Sequence, residues 1–455
     1  MKSILGLFLL ALMLGAARSA SGQEPEQAPV QFWKTLGDST LQQLVSTAVQ
    51  SNQDLAGARA RTRGARAARL DAALDFAPAI TASASYTRQR LASAGFPFGG
   101  SSAFPDQNVW NAGLEMSWEL DLFGRIRRTT QGQGALVAAA EEDVQDFQVL
   151  VAADLAAAYY GLRGAQDRLA VAQRNAENQR RTLEVTLQRL EAGRGNEFDS
   201  ERARAQLSLT LAGIPALESS IAAIEQRIAV LTGQPATDVE RQLSTAVPLP
   251  QLPESVSVAD PKTVVRLRPD VRSAERQLAA GGAFVSAAKA AYLPRVSFAG
   301  GMGYVSNAFA ALGNTGTPRY AIGPVISWPA LNLGRVKAGV DAARAQESEA
   351  EARYNQTQLR AMEEIQSSVV TYNRARQSLQ HLEDAARASE RAAGLARLRF
   401  EEGASDFLQV LDAERTMLDA QDRLAAGRTA ATTGLVAVYR ALGGGAGGRG
   451  ALTVN

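Results

Sequence analysis

Residues 108–120 read Asn-Val-Trp-Asn-Ala-Gly-Leu-Glu-Met-Ser-Trp-Glu-Leu and alternate throughout. Trp110, Ala112, Leu114, Met116, Trp118 and Leu120 share one face, and Asn111, Gly113, Glu115, Ser117 and Glu119 share the other. A period of two belongs to a β-strand, whose successive side chains point to opposite sides of a sheet. Three other stretches behave alike. Residues 78–90 set Ile80, Ala82, Ala84 and Tyr86 against Thr81, Ser83, Ser85 and Thr87. Residues 294–305 set Val296, Phe298, Met302 and Tyr304 against Ser297 and small residues, and residues 319–328 set Tyr320, Ile322, Ile326 and Trp328 against Ala321, Gly323 and Ser327. Pro324 weakens the last strand, because it brings no N–H to a ladder. Strands of about ten residues with one apolar face, one small or polar face and Trp110, Trp118 and Trp328 where an aromatic girdle belongs carry the pattern of a transmembrane β-barrel. An ordinary soluble antiparallel sheet is the alternative reading.

Each strand pair runs into a tract of another kind. Of sixteen prolines, none falls between Asp106 and Ile214 and none after Pro329. Both tracts are rich in Ala, Leu, Glu, Gln and Arg, with apolar residues three and four apart, as in Leu155, Tyr159, Leu162 and Leu169 or Ile365, Val369, Tyr372 and Leu379. These are long amphipathic helices. A helix from 125 to 191 is on the order of 100 Å long, deeper than any compact core. Short glycine turns follow, Ala192-Gly193-Arg194-Gly195-Asn196 and Glu402-Gly403-Ala404-Ser405-Asp406, after which helical patterning resumes. Each tract therefore folds back as an antiparallel hairpin.

The two halves are one unit written twice. Ser117-Trp118 and Gly124-Arg125 recur 210 residues later as Ser327-Trp328 and Gly334-Arg335, and Gly193 meets Gly403 at the same spacing. The expected organisation is a first repeat over 31–232, with strands near 78–90 and 108–120 and long helices near 125–191 and 197–231. A second repeat over 263–442 has strands near 294–305 and 319–328 and helices near 335–401 and 406–440. In each repeat a single helix opens the unit, 41–74 and 263–291. A Pro-rich linker spans 233–262, and the Gly-rich 443–455 reads as a disordered tail.

Four transmembrane strands cannot close by themselves, because open edges in lipid leave backbone groups unpaired. Pooling strands between chains gives eight from two copies, which side chains fill, or twelve from three, which leaves a lumen. The N-terminus reads as a secretory signal over residues 1–22: Lys2, an apolar run from Ile4 to Leu14, then small residues. Its removal takes Lys2 and Arg18 from 48 basic residues against 46 acidic, so the mature chain is formally neutral. That balance disfavours nucleic acid as a partner, and the Arg59 to Arg69 run reads as a solvated helix face. With no Cys and a single His381, multi-His or thiolate metal sites, cofactor anchoring by thiols and Ser-His-Asp chemistry are excluded, so neither a metal, a cofactor nor an enzyme activity is expected.

The doubled hairpin unit, the W-x₅-G-R junctions at Trp118 to Arg125 and Trp328 to Arg335, Arg189-Leu190-Glu191-Ala192-Gly193, and the run from Phe400 to Ala413 together resemble the outer membrane factors, the TolC-like efflux channels, nearest their OprM/NodT branch. The resemblance covers about residues 30 to 442. It implies an all-α tunnel plus a transmembrane β-barrel, with a homotrimer forming a twelve-stranded barrel and a twelve-helix periplasmic tube. It also implies a periplasmic membrane-fusion adaptor and an inner-membrane RND or ABC transporter as partners, and a place in the bacterial outer membrane. Gly193, Gly195, Gly403 and Ser405 would form the tips where the adaptor docks. Asp199, Leu408 and Asp412 would form the gate, with Gln409 standing where some members carry another Asp and Phe400 where a Tyr often latches the helices. The alternative for Asp199 and Asp412 is ordinary capping or pairing with Arg202 and Arg415. Many relatives in this branch are acylated on a Cys after the signal, and this chain has none, so it is expected not to be a lipoprotein and the barrel alone would hold it in lipid. The function implied is a passive exit duct for small molecules in a tripartite efflux pump. A duct for type I protein secretion is the alternative, and a trimeric coiled-coil adhesin is disfavoured because its strands would be consecutive at the C-terminus.

Overall fold

The computed structural model of the chain describes residues 38–90, 105–258, 260–444 and the backbone of 452–454. The expected signal segment lies outside the described residues. The first half contains α1 (Ser39–Ser51), α2 (Gln53–Leu74), β1 (Ala79–Gln89), β2 (Gln107–Leu120), α3 (Arg125–Glu191) and α4 (Glu197–Thr232). Then come α5 (Ala236–Leu243) and a short β3 (Val256–Val258). The second half contains α6 (Pro261–Leu267), α7 (Pro269–Lys289), β4 (Arg295–Ser306), β5 (Pro318–Ser327), α8 (Leu333–Glu401) and α9 (Phe407–Ala441), followed by β6 (Leu452–Val454).

Each long helix is covered by two shorter ones set end to end, and this corrects the expectation of one continuous helix at the start of each repeat. The segment 41–74 breaks at Asn52 and the segment 263–291 breaks at Arg268. In both places the chain turns extended, with ψ 130° and 136°. The breaks have a common cause. Asn52 Oδ1 accepts from the N–H groups of Asp54 and Leu55, capping α2, while its Nδ2 donates to Leu231 O near the end of α4 at 2.9 Å. Arg268 Nη1 donates to Ala441 O at the end of α9, also at 2.9 Å, and Pro269 at the first position of α7 removes an N–H that the helix start has no use for. A helix's last carbonyls have no partner within it. Here the breaking residue of one helix satisfies a carbonyl of the helix ending beside it, so α4 with α2, and α9 with α7, lie in line against α3 and α8.

The core sits where these helices meet. Leu41, Leu44, Leu155, Tyr159, Leu162, Ile228, Val239 and Leu243 form one buried cluster, and Val256, Val264, Val271, Ile365, Tyr372, Leu435 and Val438 form its counterpart. The segment 233–262 is more than a linker: α5 delivers Val239 and Leu243 to the first cluster and β3 delivers Val256 to the second. The tail expectation is also corrected. Gly443 and Gly444 adopt φ of 66° and 74° and close α9, with the Gly444 N–H donating to Tyr439 O, and Leu452–Val454 pairs antiparallel with β3. Glycine suits a helix end because it takes positive φ freely, so part of this Gly-rich run is helix termination.

β1, β2, β4 and β5 form one antiparallel sheet in the order β1-β2-β4-β5. Its register aligns Ala82, Leu114, Met302 and Tyr320 across one rung and Ile80, Met116, Gly300 and Ile322 across the next on the same face. The opposite face carries Ser83, Gly113, Gly303 and Arg319, then Thr81, Glu115, Gly301 and Ala321. Directly paired residues share a face, so the alternation read in each strand adds up to one continuous apolar surface. Pro324 pairs with Phe298 of β4, on a strand whose outer edge has no partner in the single chain.

Candidate functional site

The two glycine turns adopt the same geometry. At the first, Gly193 has φ 68°, its N–H donates to Leu190 O and the Arg194 N–H reaches back to Arg189 O. At the second, Gly403 has φ 74°, its N–H donates to Phe400 O and the Ala404 N–H to Arg399 O. This double bond pattern satisfies orphan carbonyls at a helix end. Three residues on, Asn196 Oδ1 accepts from the Asp199 N–H and Asp406 Oδ1 from the Gln409 N–H, which caps the returning helix. Asp199 and Gln409 are therefore equivalent positions, both in a first helical turn. Gly195 and Ser405 are equivalent too. A Cβ on Gly195 would meet Leu190 N at 3.0 Å, whereas Ser405 carries one.

Leu408 and Asp412 lie one turn apart on α9 and are exposed, as is Gln409, and Asp199 is half-buried on α4. Among the described residues no cation lies within 4.0 Å of either Asp carboxylate; the pairing of Asp199 with Arg202 and of Asp412 with Arg415 is absent. Arg202 instead covers the ring of Phe198 at 4.9 Å. Phe198 is the counterpart of Leu408 and is more exposed still. It went unread in the sequence, although the 210-residue spacing that pairs Gly193 with Gly403 points straight to it. Phe400 is buried, stacks on Phe407 at 5.6 Å and lies under the Arg189 guanidinium at 4.2 Å. Arg189 Nη2 also donates to the carbonyls of Phe400 and Glu401 at 2.7 and 3.0 Å, tying the end of α3 to the end of α8.

One further group at the tips has no signal in the sequence. Glu414 on α9 is 3% exposed and its Oε1 accepts from Arg397 Nη2 of α8 at 2.6 Å and from Thr182 Oγ1 of α3 at 2.9 Å. A buried carboxylate is tolerated only with charge-assisted partners, and this one joins three helices.

The sheet holds its aromatics in two bands. Trp118 Nε1 donates to Phe76 O at 2.8 Å and Trp328 Nε1 to Tyr292 O at 3.0 Å, so each indole pins the end of its strand to the helix corner that feeds the neighbouring strand. At the other end Trp110 packs on Tyr86 at 4.5 Å and on Phe309 at 5.2 Å. Eight residues of β2 separate Trp110 from Trp118, about 27 Å along an antiparallel strand, which matches an apolar band about 25 Å tall between aromatic girdles.

A sheet with one apolar face, aromatic at both ends and continued by helices about 100 Å long, is built to sit in a membrane and project from it. The chain matches the family model described as outer membrane efflux protein over residues 44–234 and 261–444, and it belongs to that family. It is 28% identical to the outer membrane protein OprJ of Pseudomonas aeruginosa over 96% of its own length and 95% of that protein's. It is 30% identical to the solvent efflux pump outer membrane protein SrpC of Pseudomonas putida, with 90% and 86% covered, and 28% identical to the nodulation protein T of Rhizobium leguminosarum bv. trifolii, with 87% and 84% covered. Among solved structures, the outer-membrane channel OprN superposes with a TM-score of 0.83 at 39% identity, covering 91% of this chain and 92% of that one. The resemblance to the outer membrane factors is borne out, and the protein is an outer-membrane efflux channel.

Proposed function

We propose that three copies of this chain close a twelve-stranded barrel on a twelve-helix periplasmic tube, forming the passive exit duct for small molecules in a tripartite efflux pump. The observation that carries this reading is the sheet itself. Among the described residues β1 and β5 have no partner on their outer edges, and such edges in hydrocarbon leave several backbone groups unsatisfied. Other copies of the same sheet satisfy them, and twelve strands leave a lumen lined by the Ser, Gly and Thr face. Exposed apolar positions along the tube support the same assembly: Leu209 on α4 and Leu359 and Leu395 on α8 are all more than half exposed in the single chain. Taken alone, α4 is long and apolar enough to cross a membrane, but its antiparallel partner α3 carries Glu177, Arg180, Arg181, Glu184 and Arg189 alongside it, and a hairpin with that face belongs in water.

In this reading Leu408 and Asp412 from three copies, with Asp199 and Gln409 beside them, ring the periplasmic opening. Apolar rings constrict a pore by dewetting, while unpaired carboxylates repel one another and exclude anions. The Gly193–Gly195 and Gly403–Ser405 turns are the docking points for a periplasmic adaptor, which links the duct to an inner-membrane RND or ABC transporter. The purified protein in planar bilayers tests both parts. Cation-selective channels of low conductance are expected from wild type, with still lower conductance and weaker cation selectivity in Asp412→Ala, whose ring no longer repels itself. Folded trimers without channels overturn the duct, and a variant identical to wild type overturns the gate.

A further inference from the structure

The small-residue face of the sheet carries an arrangement that the gate does not use. Arg319 on β5 pairs in register with Gly303 on β4, which pairs with Gly113 on β2. Its guanidinium nevertheless donates from Nη2 to Asn111 Oδ1 on β2 at 2.8 Å. Neighbouring strands lie about 4.8 Å apart, so β5 and β2 are roughly 10 Å apart and the Arg319 and Asn111 side chains together bridge that distance over β4. Glycine permits that crossing. On this face Gly303 offers no side chain, and neither it nor Gly113 has room for one, since a Cβ would come within 2.3 Å of Ala112 O and 2.7 Å of Met302 O respectively. Glu115 stands on the same face of β2, flanked by Thr81 and Gly301. It is exposed and, among the described residues, has no cation within 4.0 Å. Four residues of β2 separate Glu115 from Asn111, about 14 Å along the strand, which exceeds the physiological screening length of about 8 Å. The two charges therefore act at different depths.

We propose that the barrel lumen carries two charge-sorting rings: Arg319, braced on Asn111 across the glycine trough, forms an outer site for anionic groups of passing solutes, and Glu115 forms a deeper site for cationic groups. This rests on the twelve-stranded reading above, which puts three copies of each around one axis. A confined lumen with low-dielectric walls focuses such fields, and bracing keeps the guanidinium against the wall, so the ring sorts by charge without narrowing the path. Solutes carrying both signs, separated along their length, are the class that both rings accept.

The sequence has no cysteine, so single introduced thiols report local potential without background. Val305→Cys lies beside Asn111 in register and Thr81→Cys beside Glu115, both on the lumen face, whereas Ile322→Cys lies on the apolar face. Intact cells are treated from outside with anionic and cationic methanethiosulfonates, and the ratio of labelling rates is measured. Adding Arg319→Ser to Val305→Cys is expected to lower the anionic-to-cationic ratio roughly threefold, and adding Glu115→Gln to Thr81→Cys to raise it similarly. Arg319→Lys, which keeps charge but loses the fork, is expected to retain most of the first effect. Ratios that do not move in either pair overturn the proposal. Labelling at Ile322→Cys with none at Val305→Cys or Thr81→Cys overturns the barrel reading beneath it instead.

Discussion

The two helical tips have the same backbone and different side chains. Gly193 and Gly403 turn the chain with the same pair of hydrogen bonds, and Asn196 and Asp406 cap the return with the same one. The side chains that follow diverge at each of four equivalent positions: Phe198 stands against Leu408, Asp199 against Gln409, Arg202 against Asp412 and Arg204 against Glu414. The turn chemistry is held by local bonds that any hairpin of this kind needs, so both copies keep it. What each tip shows to its surroundings is free to differ, and the second tip has taken the buried clasp. Glu414 joins α3, α8 and α9, while its counterpart Arg204 makes only an exposed pair with Glu201 one turn away.

The largest effect expected follows from that asymmetry. Glu414→Ala leaves Arg397 without its carboxylate and Thr182 without an acceptor. Breaking a buried pair costs about 3–5 kcal/mol, and since Arg397 is about one-third exposed, a loss of about 2–3 kcal/mol is expected. Arg204→Ala, at the equivalent place in the first tip, is expected to change stability by less than about 0.5 kcal/mol, as exposed pairs do. Denaturant midpoints of the detergent-solubilised protein compare them. Equal losses would mean that the tips are equally clasped.

Much of this fold is legible before any coordinates. Alternation in 108–120 and its three companions identifies the strands, and the absence of proline identifies the long helices. The break at Arg268 is legible, since Pro269 disfavours a helical residue before it, whereas the break at Asn52 depends on a bond to the Leu231 carbonyl, 179 residues distant. Glu414 is equally silent: in sequence it is one more Glu on an amphipathic helix, and its burial follows from where α3 and α8 run. Phe198 was within reach through the repeat spacing, since the alignment that maps the two glycines maps it onto Leu408.

A smaller effect tests whether the two turns are equivalent. Both glycines have positive φ, and nothing lies within 4 Å of a Cβ on either, so replacement meets conformational strain without a clash. Gly193→Ala and Gly403→Ala are each expected to cost about 1 kcal/mol, the usual penalty for a left-handed L-residue. Hydrogen exchange at the Arg194 and Ala404 amides reads each turn separately. Unequal losses would show that tertiary packing, rather than the shared turn, holds one of the tips, and would narrow the comparison to the helices behind it.

An effect no larger, confined to higher pH, lies farther along α3, where the repeats differ in charge. Asp146 on α3 is half-buried, and its carboxyl is pushed up to about 6, first by desolvation and then by Asp270, with Asp143 and Glu364 adding to the push and Arg268 opposing it. Its counterpart in the second repeat, 210 residues on, is Gln356. Because the folded carboxyl holds its proton more tightly than the unfolded one, no penalty exists below about pH 4. Stability falls as pH rises from about 4 to about 6, and the penalty is then constant. A two-unit shift corresponds to about 3 kcal/mol, and solvent screening at this partly exposed site reduces that to about 1 kcal/mol. Asp146→Gln, which gives the first repeat the residue of the second, is expected to raise stability by about that much at pH 7.5 and to have no effect at pH 4. A gain of equal size at both pH values would trace it to packing instead of charge, and the repeats would then differ here in shape alone.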